Sequence, residues 1–148
     1  MPQENSKKLS IIIPVYNEEN FIPKLFEQLK SQFNNSTSEI IFVDDGSTDR
    51  SSENIEKIIK EGNYNFTLKH IKLNQNSGKG KAIRTGIKNS NGKYILLQDA
   101  DLELDIKDAK EMYEIISTNK EIKCIFGSRY LSGKLKKNNY FLNNLVAK

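Results

Sequence analysis

The chain has 148 residues, 28% of them charged and 36% hydrophobic, with a net charge of +4. That suffices for one domain with a real core and not for two. A single cysteine, Cys124, excludes an internal disulfide and a thiolate metal site, and no apolar run approaches the roughly 20 residues of a membrane-spanning helix.

Residues 1–8 are polar and expected to be disordered, with no hydrophobic region of the signal-peptide kind, so the chain reads as cytoplasmic. Leu9-Ser10-Ile11-Ile12-Ile13 is a β-branched run stopped by Pro14 and reads as a buried strand. Phe21, Ile22, Leu25, Phe26 and Leu29 recur at helical spacing, which predicts a helix over 19–32. A second strand is expected over 39–43, then a turn at Asp44-Asp45-Gly46-Ser47 and a helix carrying Asn54, Ile55, Ile58 and Ile59. Strand 66–73, helix 78–88, strand 93–98, helix 105–117 and strand 122–126 follow. Strand and helix alternate throughout, which argues for an α/β domain with a mostly parallel sheet and right-handed crossovers. Cys124 and His70, the only histidine, read as structural. After Gly127 the sequence turns rich in Lys and Asn. Tyr140-Phe141-Leu142 reads as the opening of a further helix, and the chain is expected to break off inside a larger protein.

Four loops leave the carboxyl ends of these strands, where ligands of open α/β sheets bind. In Pro14-Val15-Tyr16-Asn17-Glu18-Glu19, Tyr16 offers a flat face to a base and Glu18 offers acceptors, while Asn17 is suited to cap the helix that follows. In Asp44-Asp45-Gly46-Ser47, one carboxylate can receive a base or ribose hydrogen bond and the other the backbone of the turn. Thr48 or Asp49 would cap the next helix. In Asn76-Ser77-Gly78-Lys79-Gly80-Lys81, glycines and lysines opening a helix can present N–H groups and positive charge to phosphate. This is no dinucleotide fingerprint, because Gly86 falls six residues after Gly80, and no Walker A loop, because Gly-Lys-Ser/Thr is absent. The fourth loop, Asp99-Ala100-Asp101-Leu102-Glu103, clusters carboxylates suited to a hard divalent cation, with Asp105 expected to cap the next helix.

Together these loops resemble a family-2 glycosyltransferase of the GT-A fold, most of all the dolichyl- or polyprenyl-phosphate mannosyl- and glucosyltransferases. The resemblance runs from Leu9 to about Leu131 and rests on Ser10-Ile-Ile-Ile-Pro-Val-Tyr-Asn-Glu18, Ile41-Phe-Val-Asp-Asp-Gly-Ser-Thr-Asp49, Asn76-Ser-Gly-Lys-Gly80, Arg84-Thr-Gly86, Gln98-Asp-Ala-Asp-Leu-Glu103 and Gly127-Ser-Arg-Tyr130. It implies a Rossmann-like, mostly parallel sheet flanked by helices on both faces, binding a nucleotide sugar over residues 9–131. It also implies that residues 132–148 begin a basic acceptor- or membrane-proximal region. Pro14, Tyr16, Glu18, Val43 and Asp45 would line the base, and Asp99 and Ala100 would meet ribose and diphosphate, with Lys79 beside the phosphates. Asp101 would hold Mg²⁺ or Mn²⁺, joined by Asp99 and by Glu103, which stands where related enzymes often have Gln. Arg129 would reach the donor sugar or an acceptor phosphate. Asp99, Asp101 and Arg129 are thus the expected catalytic residues.

The implied activity is inverting transfer of a hexose from a donor of the UDP-glucose or GDP-mannose type to a polyprenyl phosphate, at the cytoplasmic face of a membrane. A polysaccharide or other hydroxyl acceptor, or a donor-binding fragment without turnover, are the alternatives. A nucleotidyltransferase is disfavoured because no Gly-rich basic loop follows the first strand. Nucleic-acid binding is disfavoured by the mixed charge along the chain.

Overall fold

A computed structural model describes residues 8–35 and 37–127 and the backbone of residues 144–147. Its elements are β1 (Leu9–Val15), α1 (Ile22–Phe33), β2 (Ser38–Asp44), α2 (Ser51–Lys60), β3 (Thr67–Lys72), α3 (Lys79–Lys88), β4 (Tyr94–Leu97), α4 (Ile106–Thr118), β5 (Cys124–Phe126) and β6 (Asn144–Ala147). The boundaries fall within a few residues of those expected from periodicity.

The sheet order is β3-β2-β1-β4-β6-β5. β3, β2, β1 and β4 run parallel, and β6 lies antiparallel between β4 and β5. β1 and β2 are flanked by parallel strands on both sides and covered by helices on both faces, so nearly every residue in them is buried and the sequence shows continuous apolar runs rather than alternation. β3, at the edge, is half-buried and carries Lys69 and Lys72. β6 corrects the sequence reading: where a further helix was expected to follow Tyr140-Phe141-Leu142, residues 144–147 pair as a strand. Tyr140, Phe141 and Leu142 themselves lie outside the described residues, as do residues 1–7 and the basic segment 132–143.

Helices cover both faces. Ile11, Ile13, Ile40 and Phe42 pack with Leu25, Phe26 and Leu29 of α1, Ile55 of α2 and Ala109 and Ile116 of α4. On the other face Ile12, Ile41, Val43 and Ile95 pack with Ala82 and Ile87 of α3. α3 sits close to the sheet because Gly86 has no side chain, and a Cβ there would collide with Ile12. Among the described residues no helix is long and apolar enough to cross a membrane.

The amino-terminal end of the sheet is locked by one buried carboxylate. Glu39, with 1% of its side chain exposed, pairs with Lys69 Nζ at 2.8 Å. It also accepts from Ser10 Oγ at 2.5 Å and from the Asn91 N–H at 2.5 Å. Burial alone pushes this carboxyl up, but the hydrogen bonds from Lys69, Ser10 and Asn91 outweigh it and hold Glu39 below the ordinary glutamate range.

Candidate functional site

The chain leaves β1, builds β2 and β3 to one side, and returns to place β4 on the other side of β1. Adjacent loops at the carboxyl ends of β1 and β4 therefore diverge, and such a switch in strand order opens a crevice. A cavity of about 310 Å³ lies there. Pro14, Val15, Tyr16 and Glu18 line it from the loop after β1, and Asp45 from the loop after β2. Asn76 and Gly78 come from the loop after β3, Lys79 and Ala82 from the start of α3, and Asp99, Ala100 and Asp101 from the loop after β4.

Of the residues expected at a donor site, Pro14, Tyr16, Glu18, Asp45, Lys79, Asp99, Ala100 and Asp101 are brought to this one cavity. Val43 is not among them. It is fully buried and packs with Ile12, Ile41 and Ala82, because its strand position faces α3. Glu103 is exposed and absent from the lining. The chain turns at Leu102 (φ 59°), and the Glu103 N–H donates to Asp101 Oδ1 at 3.1 Å. Among the described residues no three acidic, His or Cys side chains gather as a metal cage, so Asp99, Asp101 and Glu103 do not form one. Arg129 lies outside the described residues.

The loops are laced to one another. Asn17 adopts φ 56° and its Oδ1 accepts from the Thr48 N–H at 2.8 Å and the Asp49 N–H at 3.4 Å. Ser47 Oγ accepts from the Asn17 N–H, and Ser51 Oγ from the Glu18 N–H. Asn17 thus joins the first loop to the second instead of capping α1, whose start has no side-chain cap. The N-cap of α2 is Arg50, without a side-chain cap; Asp49, one residue earlier, accepts from the Ser51 N–H at 2.9 Å and from the Glu19 N–H at 3.0 Å. Asp105 caps α4 as expected, accepting from the Lys107 N–H.

The two aspartates after β2 divide their work. Asp44 Oδ1 accepts from the Ser47 N–H at 2.8 Å, closing the turn, while its buried Oδ2 has no hydrogen-bond partner. Asp45 reaches the third loop, with Oδ1 accepting from the Ser77 N–H at 2.9 Å and Oδ2 from the Gly78 N–H at 2.7 Å. Periodicity gave no sign of this tie, since its partners are some thirty residues away. Gly46 lets the second loop pass under the third: its φ is +73°, and a Cβ would stand 2.6 Å from the Gln75 carbonyl carbon. Val15 and Ala82, which sequence reasoning did not place in the site, also line it: Val15 is the last residue of β1, and Ala82 lies in the first turn of α3.

The cavity is acidic on one side. Burial raises the Glu18 carboxyl above the ordinary range, and the neighbouring charges of Asp101, Asp49 and Asp99 raise it further. Against them stands Lys79, whose Nζ lies 2.6 Å from Asp99 Oδ1. Aromatic face, carboxylates and a cation at a switch point are what an anionic, base-containing ligand with a metal counter-ion requires. The open crevice at the carboxyl ends of the parallel strands, with this polarity, is the candidate ligand site of an α/β domain.

Comparison with known proteins gives the lineage. Residues 10–144 match the Glycosyl transferase family 2 domain, and the chain belongs to that family. It is 34% identical over 129 residues to an undecaprenyl-phosphate 4-deoxy-4-formamido-L-arabinose transferase of Photorhabdus laumondii, covering 81% of this chain and 39% of that protein. It is 33% identical over 150 residues to a dolichyl-phosphate beta-glucosyltransferase of Dictyostelium discoideum, covering 93% of this chain and 45% of the relative. Among solved structures, TarS 1–349 of S. aureus in complex with UDP-GlcNAc superposes with a TM-score of 0.65 at 31% identity, over 76% of this chain and 32% of that one. The mostly parallel sheet with helices is thus the GT-A fold. The chain spans less than half the length of these curated relatives.

Proposed function

We propose that this chain carries the donor site of an inverting glycosyltransferase that moves a hexose from a nucleoside-diphosphate sugar to a polyprenyl phosphate. The observation that carries the reading is the convergence of four strand-end loops on one cavity holding Tyr16, Glu18, Lys79, Asp99 and Asp101. The relatives named for undecaprenyl- and dolichyl-phosphate transfer support the acceptor class, and the TarS complex supports a UDP-type donor. A GDP-type donor fits the same cavity.

In this reading Tyr16 lies against the base, and Glu18 and Asp45 border base and ribose. Asp99 and Asp101 face the diphosphate. Two carboxylates fit Mg²⁺ or Mn²⁺, since such ions commonly take one or two protein carboxylates and complete their shell from substrate phosphates and water. A bound ion would supply positive charge against the leaving diphosphate. Lys79 and the start of α3 add to that charge. A lipid phosphate is already an anionic nucleophile and needs no strong general base, so the protein's task is to orient it opposite the leaving group. Displacement from that side inverts the anomeric centre. Arg129 is proposed to grip the acceptor phosphate or the donor sugar. A lipid acceptor implies docking at a membrane surface, and its cytoplasmic face is the side proposed.

The test is transfer of radiolabelled glucose or mannose from UDP-glucose or GDP-mannose to polyprenyl phosphate in vesicles. Labelled lipid formed by the wild type and reduced at least 100-fold in Asp101→Asn supports the reading. Transfer only to hydroxyl acceptors supports the polysaccharide alternative. Donor binding without any transfer identifies a donor-binding portion of a longer enzyme, a reading favoured by the fraction of its relatives that the chain spans.

A further inference from the structure

The Lys79–Asp99 ion pair sets a basic group from the start of α3 against a carboxylate proposed to hold the cation. The base of Lys79 is fixed. The two residues before it, Ser77 and Gly78, are held through their N–H groups by Asp45, and α3 begins at Lys79 itself. About half of its side chain is exposed, 47% against 15% for Asp99. Four single-bonded carbons let an ammonium move between neighbouring anions without any change of backbone.

Charge dictates what such a group does. Asp99, Asp101, Asp49 and Glu18 stand close enough that the three aspartates raise the Glu18 carboxyl. Without a ligand, Lys79 offsets part of that crowding. A diphosphate carries more negative charge than one carboxylate and enters the same cavity, so it competes for the ammonium.

We propose that Lys79 is an internal counter-ion that couples the two ligands of the site: it neutralises Asp99 in the ligand-free protein and passes to the donor diphosphate, leaving Asp99 to a divalent cation. The inference rests on the donor reading above and goes beyond it by making Lys79 a brake on metal binding when no nucleotide is present. Lys79 thus acts on the cation through Asp99 and on the nucleotide directly.

The test is titration of Mn²⁺ alone, followed by the electron paramagnetic resonance of the free ion, into wild type, Lys79→Gln and Lys79→Arg. UDP and GDP are then titrated calorimetrically with and without Mn²⁺. Lys79→Gln is expected to bind Mn²⁺ alone about tenfold more tightly than wild type, while its nucleotide affinity with Mn²⁺ falls by about the same factor. Lys79→Arg should follow the wild type. The factor by which nucleotide tightens Mn²⁺ binding must equal that by which Mn²⁺ tightens nucleotide binding, and should shrink in Lys79→Gln. A purely structural tie predicts the reverse for the metal, with Mn²⁺ binding weakened or unchanged in Lys79→Gln, and that result overturns the exchange alone. Failure of wild type to bind either nucleotide overturns the donor reading and the exchange together.

Discussion

At the scale of single residues, two positions carry consequences that their neighbours do not. Gly46 combines φ +73° with backbone of the third loop 2.6 Å from where a Cβ would be. Neither the dihedral nor the contact can relax without moving Gln75, so Gly46→Ala is expected to cost about 2 kcal/mol or more in urea unfolding. It should also weaken nucleotide binding, because Asn76 and Gly78 shift with Gln75. Glu39 makes the opposite case. Glu39→Ala leaves Lys69 and the Asn91 N–H without their shared acceptor, and the loss of a buried partner costs about 3 kcal/mol. Because Glu39 sits at the amino-terminal end of β2, nucleotide affinity measured well below the melting temperature should be unchanged. One substitution thus tests the site and the other tests the scaffold.

At the scale of elements, the cavity is as good as the lacing between its loops. Asn17→Ala removes the acceptor for the Thr48 and Asp49 N–H groups and places alanine at φ 56°. A loss of about 1–2 kcal/mol in stability is expected, with a severalfold weaker donor affinity as Tyr16 and Glu18 loosen. Asn17→Gly, which tolerates the dihedral, should recover part of the stability and little of the affinity, as unfolding and calorimetry would show. Helices and parallel strands were legible because their apolar residues recur locally: Leu25, Phe26 and Leu29 in α1, Ile11 to Ile13 in β1. The four site loops were legible because they follow those strands. What stayed hidden was non-local. Asn17 looked like a cap for α1 because a cap and a loop tie use the same side chain. The resemblance set Val43 at the base, whereas its side chain is buried with Ile12, Ile41 and Ala82 in the sheet-to-α3 core. Residues 144–147 gave no strand signal, since four residues pairing antiparallel with β4 and β5 depend on partners tens of residues earlier.

At the scale of the whole molecule, the titrating groups set how the fold responds to acid. His70 is held below its ordinary range chiefly by burial and further by Lys72, with Asp44 and Glu56 opposing. Its native pKa is depressed, so as pH falls below about 6.5 the unfolded chain binds a proton that the native state refuses, and stability drops. Glu39 is also depressed, and its contribution is complete above the ordinary glutamate range and lost as pH falls through its native value. Urea midpoints should therefore decline in two stages, the first flattened in His70→Leu and the second in Glu39→Gln. Glu18 runs the other way: its raised pKa means that ionising it costs the native state as pH rises. A cation on Asp99 and Asp101 would relieve that cost, so saturating Mn²⁺ should raise the melting temperature at pH 7 more than at pH 4.

The proposed donor site holds a nucleotide sugar through a divalent ion at the β1–β4 crevice. Calorimetric titration of the chain with UDP-glucose and with GDP-mannose, in Mn²⁺ and again in chelator, tests it most directly. Binding of one donor that requires Mn²⁺ and disappears in Asp101→Asn is the predicted result. Binding of neither donor, or binding indifferent to both chelator and Asp101, would contradict it.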